Sequence, residues 1–159
     1  MRRGSTSRRP GQALDGELRV AGIDLDAEMT RLCALAVFAD GPLARREPLL
    51  RVRCASRKPN RLGFAVPGEF RLSVTAYPGI RAGDVLETLL HELVHLHVGR
   101  RPEAHAWHGR TFKETLHRAM TEAYGITGPR PRSTLHGAYA GAIETLRGRG
   151  GQLELELAA

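Results

Sequence analysis

The hydrophobic pattern is densest between Leu86 and Leu96, where Leu86, Leu89, Leu90, Leu93, Val94 and Leu96 leave almost no polar face. A helix that is apolar all round is a buried one. Asp84-Val85-Leu86-Glu87 has the D-x-x-E form of a helix start, and Gly99 followed by Arg100-Arg101-Pro102 ends the helix. A second helical period follows in Phe112, Leu116, Ala119, Met120 and Ala123. Upstream, Asp24 or Asp26 caps a helix running to about Ala39, with Met29, Leu32, Cys33, Ala36 and Val37 on its inner face. Asp40-Gly41-Pro42 stops it.

Between these helices the period changes to two. Leu50, Val52 and Cys54 alternate with Arg51 and Arg53, which predicts a half-buried strand over 49–54. Leu62 to Val66 and Glu69 to Thr75 read as a hairpin around Pro67-Gly68. Glu17 to Ile23 is a short strand or part of an N-terminal arm. Near the other end, Leu135 to Leu146 predicts a helix with Tyr139, Ile143 and Leu146 inward, and Leu153, Leu155 and Leu157 alternate with glutamates as an edge strand or tail. The pattern predicts an α+β fold, with a small antiparallel sheet packed on the buried helix.

Composition changes this picture little. A chain of 159 residues predicts one domain, here 17–126, preceded by a disordered basic arm over 1–16 and followed by a C-terminal extension over 127–159. Aromatic residues make up 5%, so Leu, Val and Ala fill most of the core. Net charge is +7, from 24 Lys plus Arg against 17 Asp plus Glu. Such a balance admits DNA or another acidic partner, but Lys58 and Lys113 are the only lysines, an arginine-rich bias that a GC-rich genome also produces. Cys33 and Cys54 form no C-x-x-C pair and read as two buried thiols. No stretch approaches 18 unbroken apolar residues and no secretory signal is visible, so no membrane span and a cytoplasmic location are expected.

The buried helix carries the chemistry. His91-Glu92-Leu93-Val94-His95 is an H-E-x-x-H sequence. Four helical residues advance about 400°, leaving the two imidazoles about 40° apart on one face. Both rings then reach one Zn²⁺, with Glu92 beside the metal's water. Their burial strengthens the reading, because an unpartnered buried polar group costs roughly 2–7 kcal/mol. A catalytic zinc takes three protein ligands and keeps one position open. His108, just before the second helix, is favoured as the third ligand. His105 is its nearest competitor, with Glu103 and Glu114 behind. His97 points off the ligand face, and His117 falls inside the second helix with a surface role.

In order along the chain, Phe70-Arg71-Leu72-Ser73, then Leu86 to His95 with its T-L-L-H-E-x-x-H core, then His108-Gly109-Arg110-Thr111-Phe112 resemble the SprT-like family of zinc metalloproteases. That family includes the Spartan proteases, which digest proteins crosslinked to DNA. Arg61-Leu62-Gly63 is similar to its strand lead-in, and the likeness covers roughly 27–124. The resemblance implies a zincin-like minimal metalloprotease core, with the second helix presenting the third ligand. It implies His91, His95 and His108 as zinc ligands and Glu92 as general base, acting on protein or peptide substrates, with DNA a candidate partner. It does not extend to the C-terminal zinc ribbon that many members carry. Three rivals remain: a zinc-dependent ribonuclease, a non-catalytic metal-containing DNA-binding module, and a metal-free helical protein whose histidines fill the core.

Overall fold

The computed structural model describes residues 18–99, 108–132 and 137–148. The arm over 1–16 and the alternating leucines of 153–157 lie outside these residues. The fold is mixed α+β. Two short strands, β1 (Arg19–Val20) and β2 (Ile23–Asp24), pair antiparallel across Ala21 and Gly22. Both turn residues have positive φ, the conformation a two-residue hairpin requires. Helix α1 (Leu25–Cys33) follows at once, and Asp24 is its cap, accepting the Ala27 N–H at 3.1 Å.

Helix α1 ends at Cys33, short of the expected Ala39. A 3₁₀ turn, Ala36–Phe38, takes over, which buries Val37 and Phe38 in the core. The Glu122 carboxylate receives the N–H groups of Ala36 and Val37, replacing the hydrogen bonds a continued helix would supply.

The larger sheet contains β3 (Leu49–Cys54), β4 (Gly63–Val66) and β5 (Arg71–Ala76) in the order β3-β5-β4. Strands β4 and β5 form the expected antiparallel hairpin, but β3 runs parallel to β5, so the sheet is mixed rather than antiparallel. Residues 55–62 carry the chain past one strand position, and the hairpin folds β5 into that slot. Alternation gives each strand its inner face but says nothing about which neighbour fills it. In this register Leu50 and Val52 pair with Leu72 and Val74.

Helix α2 (Ala82–Val98) is the centre of the molecule, with Leu86, Leu89, Leu90, Leu93 and Val94 each at most 1% exposed. It starts two residues before Asp84. Arg81 is the cap residue, and Asp84 sits in the first turn, accepting the Arg81 backbone N–H at 3.1 Å. Gly99, at φ 63°, closes the other end as expected. Helix α3 (Arg110–Tyr124) packs on α2 through Phe112, Leu116, Ala119 and Met120.

A fourth helix, α4 (140–148), is tied to α2 by carboxylates running both ways. Glu87, 2% exposed on α2, accepts the N–H groups of Gly137, Tyr139 and Ala140 at the start of α4. Glu144 on α4 accepts the Gly83 N–H at the start of α2. Each carboxylate sits where unpaired N–H groups and the helix dipole favour negative charge. The helices approach so closely that a Cβ on Gly83 would lie 2.4 Å from the Ala140 carbonyl oxygen. Tyr139 and Ile143 are buried in the common core, and Leu146 packs against it. Replacing Glu87 by Ala strands several buried donors, each worth about 1–3 kcal/mol. Urea denaturation of Glu87→Ala should show a loss of at least about 2 kcal/mol, with the midpoint falling at an unchanged m value.

Candidate metal centre

One turn of α2 separates His91 from His95, and both rings line a cavity beside β4. His91 is buried, while His95 is partly exposed. The chain returns at His108, one residue before Gly109 caps α3, and this ring meets the other two. The His108 Nε2 lies 3.1 Å from the His91 Nε2 and 3.1 Å from the His95 Nε2. Among the described residues these three form the one group of side chains close enough to hold a metal ion, with all ligand atoms within 4.8 Å of one another.

The geometry fits a cation. Zn–N bonds of about 2.0–2.1 Å place tetrahedral ligand atoms roughly 3.3–3.4 Å apart, close to the spacing seen here. Each imidazole Nε2 carries at most one proton. The His108 Nε2 therefore cannot serve both neighbours with full hydrogen bonds, whereas one cation accepts all three lone pairs. Phe112 forms the floor beneath them, its ring centroid 4.9 Å from His91, 4.3 Å from His95 and 4.9 Å from His108. Phe112 is itself 1% exposed, so one side of the cluster is apolar. That limits water on the buried side and strengthens electrostatic interactions there.

Glu92 lines the same cavity without belonging to the ligand cluster. Its position depends on a glycine. Strand β4 crosses α2 at Gly63, where an added Cβ would lie 2.7 Å from the Ser73 carbonyl oxygen, 2.7 Å from Thr88 Cγ2 and 3.1 Å from Glu92 Oε1. Backbone and helix can approach this closely only without a side chain. Asn60, Arg61 and Ala65 complete the wall opposite the histidines, giving a cavity of about 380 Å³.

The remaining sequence candidates separate clearly. His97 points away from the cluster, with its ring 5.1 Å from that of Phe38. Its Nδ1 would lie 2.2 Å from a Cβ at Gly41, so it packs against that turn. Glu114 pairs with Arg110 at 2.8 Å on the surface of α3. His105 and Glu103 lie outside the described residues. His117 corrects the surface role expected of it: its Nδ1 meets the Tyr139 hydroxyl at 3.0 Å and its Nε2 meets the Gly128 carbonyl oxygen at 3.1 Å, tying α3 to the chain that follows. Cys33 is buried, and burial pushes its thiol up to about 11, but Cys54 is exposed on the edge strand β3. Both cysteines are free, and they are not the buried pair expected.

Tyr77, Tyr124 and Tyr139 are absent from the cavity wall. Tyr124 donates to Glu28 at 2.8 Å, and its hydroxyl is held neutral well above the usual range by burial and then by that carboxylate. Asn60 and Arg61, with Glu92, are the polar residues that line the cavity beside the histidines. Asn60 carried no signal in the sequence, because it sits in a turn whose path only the folded sheet defines.

Three outcomes follow from this geometry. Purified protein should hold about one divalent cation per chain by elemental analysis, and His108→Ala should weaken zinc affinity by at least about 100-fold in a chelator competition. Gly63→Ala should cost about 1–3 kcal/mol in chemical denaturation, as overpacking does. No family model matches this chain, and comparison with curated proteins and with solved structures found no match.

Proposed function

We propose that the chain is a zinc-dependent metalloendopeptidase with a zincin-like core. The observation that carries this reading is the convergence of three Nε2 atoms with a nearly buried glutamate on the same cavity. Three neutral donors, with no fourth among the described residues, suit an ion that keeps a position for water. His91, His95 and His108 would hold the zinc, which when bound would supply Lewis acidity and lower the pKa of water toward about 7.

Glu92 does the proton work. Its carboxylate accepts the proton of the attacking water and delivers it to the leaving amine. Asn60 and Arg61, across the cavity, are the donors placed to face negative charge as it develops on the peptide carbonyl oxygen. Strand β4 lies at a sheet edge, and Gly63 and Ala65 both line the cavity. An extended peptide added to that edge would be held by its backbone, and side-chain selectivity would be broad.

The glutamate separates this reading from a ribonuclease, whose phosphodiester substrate provides a better leaving group and gains less from a carboxylate base beside its own negative charge. Incubation with casein and with structured RNA, each with and without chelator, tests the choice. Cleavage of casein alone, abolished by chelation, is expected. Cleavage of RNA alone would replace the proposal. Glu92→Gln should keep its zinc and lose peptide cleavage by about 10²–10⁴-fold. Full activity in that variant would remove Glu92 from the mechanism.

A further inference from the structure

The larger sheet has two edges, β4 beside the histidine cavity and β3 on the far side. Among the described residues no strand lies beyond β3. Leu49 and Ala55, at and just past its ends, donate their N–H groups to the Phe70 and Ala76 carbonyl oxygens. Successive strand residues turn their backbone groups to opposite sides, so Leu50, Val52 and Cys54 present theirs to the open edge. Side-chain cover is incomplete there too. Leu50 is in the core, but Val52 on the same inner face is only partly buried and Cys54 is exposed. On the outer face Arg51 and Arg53 are exposed, and Leu49 is 55% exposed, the one large exposed hydrophobic side chain among the described residues. An open edge of six residues is a template for another strand.

Charge restricts what can dock on this edge. Over residues 49–71, Arg51, Arg53, Arg57, Lys58, Arg61 and Arg71 stand against Glu69 alone, and Glu69 pairs with Arg71. A second copy of β3, laid antiparallel about Val52, sets Arg51 against Arg53 twice, and like charges directly opposite are destabilising. The strand that fits must alternate apolar residues for the inner face with acidic residues for the outer one. The chain carries such a stretch in Leu153-Glu154-Leu155-Glu156-Leu157.

We propose that residues 153–157 add to β3 as a fourth strand, antiparallel to it. Glu144 on α4 holds Gly83 at the start of α2, and that start follows closely on Ala76, the partner of Cys54 at the end of β3. From residue 148 the chain to Leu153 spans at most about 17 Å, and it meets β3 at the Cys54 end first. In the register this gives, Leu153 lies opposite Cys54, Leu155 opposite Val52 and Leu157 opposite Leu50. The three leucines cover the inner face where β3 leaves it open. Glu154 then faces Arg53 and Glu156 faces Arg51, so both arginines gain a carboxylate. A slip of one residue turns the glutamates to the core side, and a slip of two leaves one arginine unanswered. Tethering favours this segment over an acidic peptide in trans, because a short linker holds it at an effective concentration of about millimolar. With β3 covered, β4 is left as the open edge of the sheet. That last consequence bears on the peptidase reading, but the strand pairing does not rest on it.

Amide hydrogen exchange of the full chain, read residue by residue by NMR, tests the pairing with no cleavage step. The N–H groups of Leu50, Val52 and Cys54 should exchange at least about 100-fold faster in Leu155→Pro than in the parent chain. Those of Arg51 and Arg53, bonded to β5, should stay within about twofold and so report that the sheet is intact. Glu154→Arg/Glu156→Arg should speed exchange at the three edge amides about tenfold, and adding Arg51→Glu/Arg53→Glu to the same chain should restore protection. Cys54 supplies a check on register, since Cys33 is buried. A short thiol cross-linker should join Cys54 to Leu153→Cys within one chain. It should not join Cys54 to Leu157→Cys, about 13 Å further along the strand. Edge amides that exchange alike in the parent and Leu155→Pro, a charge swap that fails to restore protection, or cross-links that join two chains would overturn the proposal.

Discussion

The burial of α2 on nearly every side is the constraint on which the other features depend. A helix so enclosed can carry a polar side chain only where something answers it, since an unanswered one costs kilocalories. Asp84 is answered by Arg81, Thr88 by the Asp84 carbonyl, and Glu87 by the N–H groups of the chain entering α4. His91, His95 and His108 answer one another, at a spacing that suits a shared cation. Asp84 and Thr88 are thus satisfied within the helix and its cap, while Glu87 and the histidines tie it to neighbouring elements. The cluster is a product of the same packing that makes the core.

Close approach is the second theme. Gly63 and Gly83 mark the two places where backbone runs against α2 with no room for a side chain. At Gly63 the result is functional geometry: β4 is held beside Glu92 and forms one wall of the cavity. At Gly83 the result is structural, because α4 rests on the start of α2. One contact lies at the first turn of the helix and the other at its middle, against Thr88 and Glu92, beside the histidine turn.

Much of this was legible in the sequence, for physical reasons that differ by element. Helix α2 announced itself because apolar residues surround it, and the histidine pair because i, i+4 spacing is a property of any helix. His108 was favoured because it stands just before α3, after a loop long enough to bring it back beside α2. The parallel pairing of β3 was not, because alternation reports a strand's face and is blind to its neighbours. Nor was the purpose of Glu87. Three residues after Asp84 it reads as part of a D-x-x-E start for its own helix, while its true partners come from 50 positions or more along the chain. The role of His117 was hidden in the same way, since Tyr139 and Gly128 reach it only after folding. Long-range polar contacts between two surfaces leave no period in either one.

The exchange of carboxylates between α2 and α4 bears on how the molecule is made. During synthesis the histidine helix emerges from the ribosome well before residues 137–148. Until those residues arrive, Glu87 lacks the N–H groups that hold it and the first turn of α2 lacks Glu144. The helix that presents two of the three imidazoles is therefore completed late, by the chain that follows it. A nascent or truncated chain lacking that segment would offer a looser grip on a metal than the finished protein.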